Sequence, residues 1–133
     1  MYLLDTHAWL WLVMGRASTS GFGAIDNSKP WALSAISLWE VAMLESFGRV
    51  VLEMPLADWF ARALRPDCYR ILPITPDIAI ASGKLPPDMH GDPADRIIAA
   101  TACVHRATLI TADRRLLDCA ERAGYGTLPI AKD

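Results

Sequence analysis

The sequence contains no apolar run approaching the roughly 20 residues that cross a bilayer. Its longest runs, such as Ala8 to Met14, fall far short, so no membrane span is expected. No basic stretch precedes Asp5, whereas a secretory signal places positive charge ahead of an apolar segment. A cytoplasmic protein is the expectation. Cysteine is scarce too: Cys68, Cys103 and Cys119 form an odd set without CxxC or Cys/His ligand spacing. That argues against both a disulfide framework and a zinc site. Charge of one sign is also missing, with 13 basic residues against 15 acidic ones and a net charge of −2. Such a balance speaks against holding nucleic acid by phosphate neutralisation alone. It does not exclude RNA, because carboxylates gathered round a cation are offset locally, and most of the basic residues are Arg, whose fork suits phosphate. No repeat or linker interrupts the 133 residues, so a single domain over 1–133 is expected.

What is present is apolar surface. Hydrophobic residues make up 53% of the chain, five of them Trp, which is ample for one packed core. Tyr2-Leu3-Leu4 reads as a short strand followed by a helix from His7 to Met14. Gly15 to Lys29, rich in Gly and Ser, reads as a loop. Trp31 to Ser34 suits a second strand, after which Ser34 or Ser37 opens a helix through Glu45. Leu56 to Leu64 carries apolar residues at helical spacing. Arg70 to Ile74 reads as a strand broken by Pro73, and a short helix follows from Pro76 to Gly83. The Pro86 to Gly91 segment is irregular. A helix from Pro93 to His105, a strand at Thr108 to Thr111, a helix from Arg114 to Ala123 and a short strand at Thr127 to Ile130 complete the pattern. Strands alternating with helices imply an α/β fold, a parallel sheet covered on both faces whose sites lie beyond the carboxyl ends of its strands.

Acidic residues fall at those ends. Asp5 follows the first strand, Glu40 lies in the helix after the second, Asp113 follows the fourth, and Asp92 and Asp95 open a helix. Carboxylates brought together repel one another unless a cation sits among them. An all-oxygen set suits Mg²⁺ or Mn²⁺, which can lower the pKa of a water for attack on phosphorus and neutralise charge on the leaving oxygen. Phosphodiester hydrolysis is the chemistry this implies. Each acid also has a structural account. Ser37-Leu38-Trp39-Glu40 fits a capping box, Asp92-Pro93-Ala94-Asp95 is a good helix start, and Asp113 suits the helix after Thr111. Asp5 interrupts an apolar segment where no cap is evidently required.

Four blocks carry a resemblance: Leu3-Leu4-Asp5-Thr6-His7-Ala8-Trp9, Leu33 to Glu40, His90-Gly91-Asp92-Pro93-Ala94-Asp95-Arg96, and Leu109-Ile110-Thr111-Ala112-Asp113. In order and spacing they resemble the signature blocks of VapC-like PIN domains, the ribonuclease toxins of type II toxin–antitoxin pairs. The resemblance implies a three-layer α/β/α PIN-like fold with a short central parallel sheet. It also implies a metal-binding quartet at Asp5, Glu40, Asp95 and Asp113, with Asp92 as a fifth contributor. Thr6 and Thr111 fall where the family places hydroxyls that hold the first and last acids or a water on the metal. The activity implied is Mg²⁺- or Mn²⁺-dependent RNA cleavage, restrained by a VapB-like antitoxin, in a homodimer. Two departures stand out: Ala94 replaces an aromatic, and Gly15 to Lys29 is poor material for the regular helix expected there.

The helix from His7 to Met14 is apolar almost all round. Either its neighbours bury it, or it leaves a groove for the antitoxin's amphipathic segment, anchored at Trp9, Trp11 and Leu12 with Trp59 and Phe60. Arg96, Arg114 and Arg115 lie beside the acids as candidate phosphate grips. His7, His90 and His105 have no ligand role in an oxygen site. Two rival functions remain. An aspartyl-phosphate phosphatase would use Asp5 as nucleophile, but its usual second Asp is His7 here. A catalytically silent binding module would keep the acids only as caps.

Overall fold

Tyr2-Leu3-Leu4 becomes the centre of the molecule because a strand flanked on both sides and covered on both faces must be apolar throughout. The structure, a computed structural model, describes residues 1–17, 26, 28–65, 69–89 and 92–132. The elements run β1 (Tyr2–Leu4), α1 (Thr6–Val13), β2 (Trp31–Ser34), α2 (Ala35–Ser46), α3 (Leu56–Ala63), β3 (Arg70–Leu72), α4 (Pro76–Gly83), α5 (Pro93–His105), β4 (Thr108–Thr111), α6 (Arg114–Ala123) and β5 (Gly126–Pro129). The five strands form one parallel sheet in the order β3-β2-β1-β4-β5. The expected α/β/α layering is therefore present.

Register decides which face each side chain joins. Leu3 pairs with Ala32 and Leu109, and these three point to one face. Leu85, Met89, Ile98, Ala99 and Leu116 cover them from α5, α6 and the segment after α4. Leu4 pairs with Leu33 and Ile110 on the opposite face. There Trp9 of α1, Val41 of α2 and Trp59 of α3 close the second core. The chain leaves β1 toward β2 and β3 with α1 and α3 on one side, then returns to β4 and β5 with α5 and α6 on the other. That reversal opens a crevice between the carboxyl ends of β1 and β4, the position where open parallel sheets hold their ligands.

Several sequence expectations are corrected. Asp5 is the N-cap of α1, its Oδ1 accepting from the Ala8 N–H at 2.8 Å, so a cap is required where none was evident. Ser34, not Ser37, caps α2. Ser37 lies inside the helix and accepts from Thr6 Oγ1 at 2.9 Å, so no capping box forms with Glu40. β3 ends at Leu72 because Pro73 has no N–H for the ladder. Trp9 has no exposed surface and Trp59 is 5% exposed. Their rings meet edge-to-face at 5.1 Å, so both serve the core rather than present anchors to a partner. Trp11, Leu12 and Phe60 are only half-buried. Within the loop expected from Gly15 to Lys29, residues 18–25 and 27 lie outside the described residues, as do His90, Gly91 and Cys68.

Candidate metal centre

Five carboxylates meet at the crevice, each placed by a chain reversal. The Asp5 N–H donates to Ile110 O at 3.1 Å, which sets the residue after β1 beside the end of β4. Thr111, the last residue of β4, is buried. Its hydroxyl donates to Asp5 Oδ2 and accepts from the Asp113 N–H at 2.9 Å. One side chain thus holds the first acid and fixes the backbone of the last. Asp113 in turn caps α6, accepting from Arg115 N at 2.8 Å. Asp92 caps α5, its Oδ1 accepting from Ala94 N at 3.0 Å and Asp95 N at 3.2 Å. That puts Asp95 in the first turn of α5, facing Glu40 in the second turn of α2.

Carboxylate oxygens of Glu40, Asp92 and Asp95 lie within 4.8 Å of one another. Asp5 and Asp113 stand outside that triad but close enough that their charges act on Asp95. Burial first, then Asp92, Asp113, Glu40 and Asp5, push the Asp95 carboxyl up to about 7. Burial also lifts Asp5 to about 6, against the lowering effect of the Thr111 hydroxyl and the Ala8 N–H. Glu40 Oε1 is buried and accepts no hydrogen bond among the described residues.

Those observations fit a divalent cation. The donor set is oxygen alone, the repulsion at Asp95 is of the kind a 2+ charge removes, and Glu40 Oε1 has a lone pair with no other use. The pure capping account fails for Glu40 and Asp95, neither of which is the N-cap of its helix. It holds for Asp5, Asp92 and Asp113, which cap with one oxygen while turning toward the crevice.

Comparison with known proteins agrees with this geometry. The sequence model of the PIN domain family matches residues 2–122. Ribonuclease VapC22 of Mycobacterium tuberculosis is 38% identical over 116 residues, which is 86% of this chain and 88% of that protein. The chain is a member of the PIN domain family, of the VapC-like kind. Among solved structures, this PIN domain is similar to one in a toxin-antitoxin complex from Klebsiella pneumoniae, with 28% identity, a TM-score of 0.60, and coverage of 85% of this chain and 87% of that one. It also shares its fold with a chain of VapBC2 from Rickettsia felis, solved bound to a DNA fragment, at 16% identity, a TM-score of 0.66, and 98% coverage of each chain.

Around the acids of the PIN domain, the remaining candidates separate. Thr6 is tied to Ser37 and braces α1 against α2 rather than touching an acid, a link that two buried hydroxyls 31 residues apart did not announce. Arg96 is corrected: its Nη2 donates to Ser82 O at 2.9 Å and its Nη1 to Met89 O at 3.2 Å, so the guanidinium clamps the end of α4 and is spent there. Arg114 and Arg115 are exposed at the start of α6. Ala94 is buried, so the aromatic missing there changes packing under the site and not its rim.

Proposed function

We propose that this PIN domain is a Mg²⁺- or Mn²⁺-dependent endoribonuclease, the toxin half of a toxin–antitoxin pair. The observation that carries the reading is the convergence of Asp5, Glu40, Asp92, Asp95 and Asp113 on one crevice. The ribonuclease named among its relatives supports RNA as substrate, and the toxin–antitoxin assemblies of its structural neighbours support a VapB-like antitoxin as partner.

In this reading Asp5, Glu40, Asp95 and Asp113 hold the cation, with Asp92 alongside. The ion supplies the positive charge that activates a water and offsets charge on the phosphorane oxygens and the leaving group. The protein's part is positional. Thr111 keeps the Asp5 carboxylate aimed into the crevice through its hydroxyl. The caps fix Asp92 and Asp113 by backbone N–H groups, so the donors are preorganised rather than gathered when the substrate arrives. Arg114 and Arg115 are placed to grip the phosphates of a bound strand. Trp11, Leu12 and Phe60 contribute to the antitoxin's docking surface. We further propose a single domain over 1–133, a homodimer, and a cytoplasmic location; among the described residues no helix is long and apolar enough to cross a membrane.

Purified protein should cleave single-stranded RNA with Mg²⁺ or Mn²⁺, stop with chelator, and stop in Asp5→Asn. Unchanged cleavage by that variant discards the assignment. Titration with Mn²⁺ separates the nuclease from a silent binding module, which has no saturable site.

A further inference from the structure

The five tryptophans are used unequally. Trp9 and Trp59 are buried, and Trp11 and Trp31 are half-buried against His7 and Tyr2. Trp39 leaves 54% of its surface exposed, and among the described residues it has no ring or hydrogen-bond partner. Exposing an indole forgoes burial of one of the largest apolar side chains, so its position decides its meaning.

That position is the rim of the acid crevice. Trp39 directly precedes Glu40 on α2, with Cα atoms about 3.8 Å apart and side chains turned about 100° round the helix axis. Ser37 and Val41 of the same helix point inward and Glu40 points to the acids, which leaves Trp39 on the solvent side of the crevice edge. A phosphodiester held at Glu40, Asp92 and Asp95 carries a nucleoside on either side, with successive nucleotides about 3.4 Å apart or more. An indole one residue from a ligand spans that separation. Single-stranded RNA is read chiefly by stacking its unpaired bases on such rings.

A second copy of the chain is the weaker occupant. The apolar stripe along α2 is Trp39, Met43 and Phe47, three side chains on one helix, well below the roughly 1,200 Å² of total surface that a stable interface buries. Phe47, though 71% exposed, lies about 12 Å further along the helix from the acids.

We propose that Trp39 is the stacking platform for the unpaired base beside the phosphodiester cleaved at the acid crevice, and so helps determine where this PIN domain cuts. The proposal rests on the nuclease reading above for the location of the substrate.

The test is a double-mutant cycle on a single-stranded RNA oligonucleotide containing a mapped cleavage site. Trp39→Ala and Trp39→Phe are compared with the unaltered protein on that RNA and on copies bearing an abasic ribonucleotide at each flanking position. Both Kd by anisotropy in chelator and kcat and KM with Mn²⁺ are read. Trp39→Ala should raise Kd and KM about tenfold with kcat within about threefold, and Trp39→Phe should restore most of the loss. One abasic position should weaken the unaltered protein by a similar factor and leave Trp39→Ala unaffected. Additive losses at every position overturn the proposal, as does a Trp39→Ala variant that loses only self-association on sizing. Cleavage without coupling retires the platform and keeps the nuclease; coupling in Kd without any cleavage does the reverse. Absence of RNA binding by the unaltered protein overturns both.

Discussion

The carboxylates of the crevice divide into two kinds. Asp5, Asp92 and Asp113 each cap a helix, and the backbone N–H groups they receive compensate their charge before any cation is present. Glu40 and Asp95 sit within their helices, where neither serves as the cap. Glu40 keeps a buried oxygen with no hydrogen bond, and Asp95 is pushed up to about 7. The first kind supports the fold and lends its remaining oxygens to the site. The second kind burdens the fold, and a burden kept at the mouth of a parallel sheet marks the place where chemistry is done.

The sharpest way to break that division is to neutralise one member of the second kind. Asp95→Asn should lower RNA cleavage by on the order of a thousandfold or more, since several kcal/mol of transition-state stabilisation pass through the cation it holds. In chelator the same variant should melt at the same temperature or higher, because burial and four neighbouring negative charges no longer act on an ionised group. Cleavage kinetics and calorimetry on one preparation decide it. A melting temperature that falls while activity survives reverses the assignment of roles.

Thr111 joins the two ends of the capping set, so removing its hydroxyl probes the first kind. Thr111→Val keeps the shape but leaves Asp5 Oδ2 buried without its donor and the Asp113 N–H without its acceptor. Denaturant unfolding should register a loss of about 1–3 kcal/mol. Cleavage should fall about 10- to 100-fold, the usual consequence of removing a residue that orients a metal ligand. Thr111→Ser, which restores the hydroxyl, should recover both.

Much of this was legible in the residues alone, because parallel strands are apolar throughout and their ends are where polar residues can stand. Tyr2-Leu3-Leu4 followed by Asp5, and Leu109-Ile110-Thr111 followed by Asp113, place two acids at strand ends before any coordinates exist. The Pro93 to His105 helix carried its own start signal in Asp92-Pro93. What local pattern hid was competition among neighbours. Ser34 and Ser37 are equally good caps by type, and only the buried bond from Thr6 commits Ser37 to another task. Arg96 looks like a phosphate grip beside Asp95 until the carbonyls of Ser82 and Met89 arrive from residues 14 and 7 positions away. An all-apolar α1 cannot reveal which of its tryptophans meets Trp59.

The two kinds of acid also differ in how pH moves them. Asp5 and Asp95 have folded-state values of about 6 and about 7, above the 3.8 expected of the unfolded chain. The folded protein therefore binds protons more tightly than the unfolded one. Their contribution is fully present below about pH 4 and is lost as pH rises through 6 to 7, a change on the order of a few kcal/mol. In chelator the melting temperature should fall by roughly 5–10 °C between pH 5 and pH 8. Saturating Mn²⁺ should cancel that fall or reverse it, since the ion binds the deprotonated carboxylates and stabilises the folded state by mass action. A slope that is the same with and without Mn²⁺ places the ion elsewhere.

The smallest effects separate structural from substrate-facing arginines. Arg96→Ala removes two hydrogen bonds to carbonyls and should cost about 1–3 kcal/mol of stability, with KM for RNA unchanged. Arg114→Ala removes an exposed guanidinium at the start of α6, where it lies beside the cap Asp113 and makes no bond that the fold needs. Its melting temperature should stay within about 1 °C, while KM rises a few-fold and the salt dependence of KM flattens, as follows when one phosphate contact is lost. Equal effects of the two variants on KM would mean that the Arg96 clamp shapes the phosphate path through α4, and the distinction between the two arginines would then be one of distance rather than of kind.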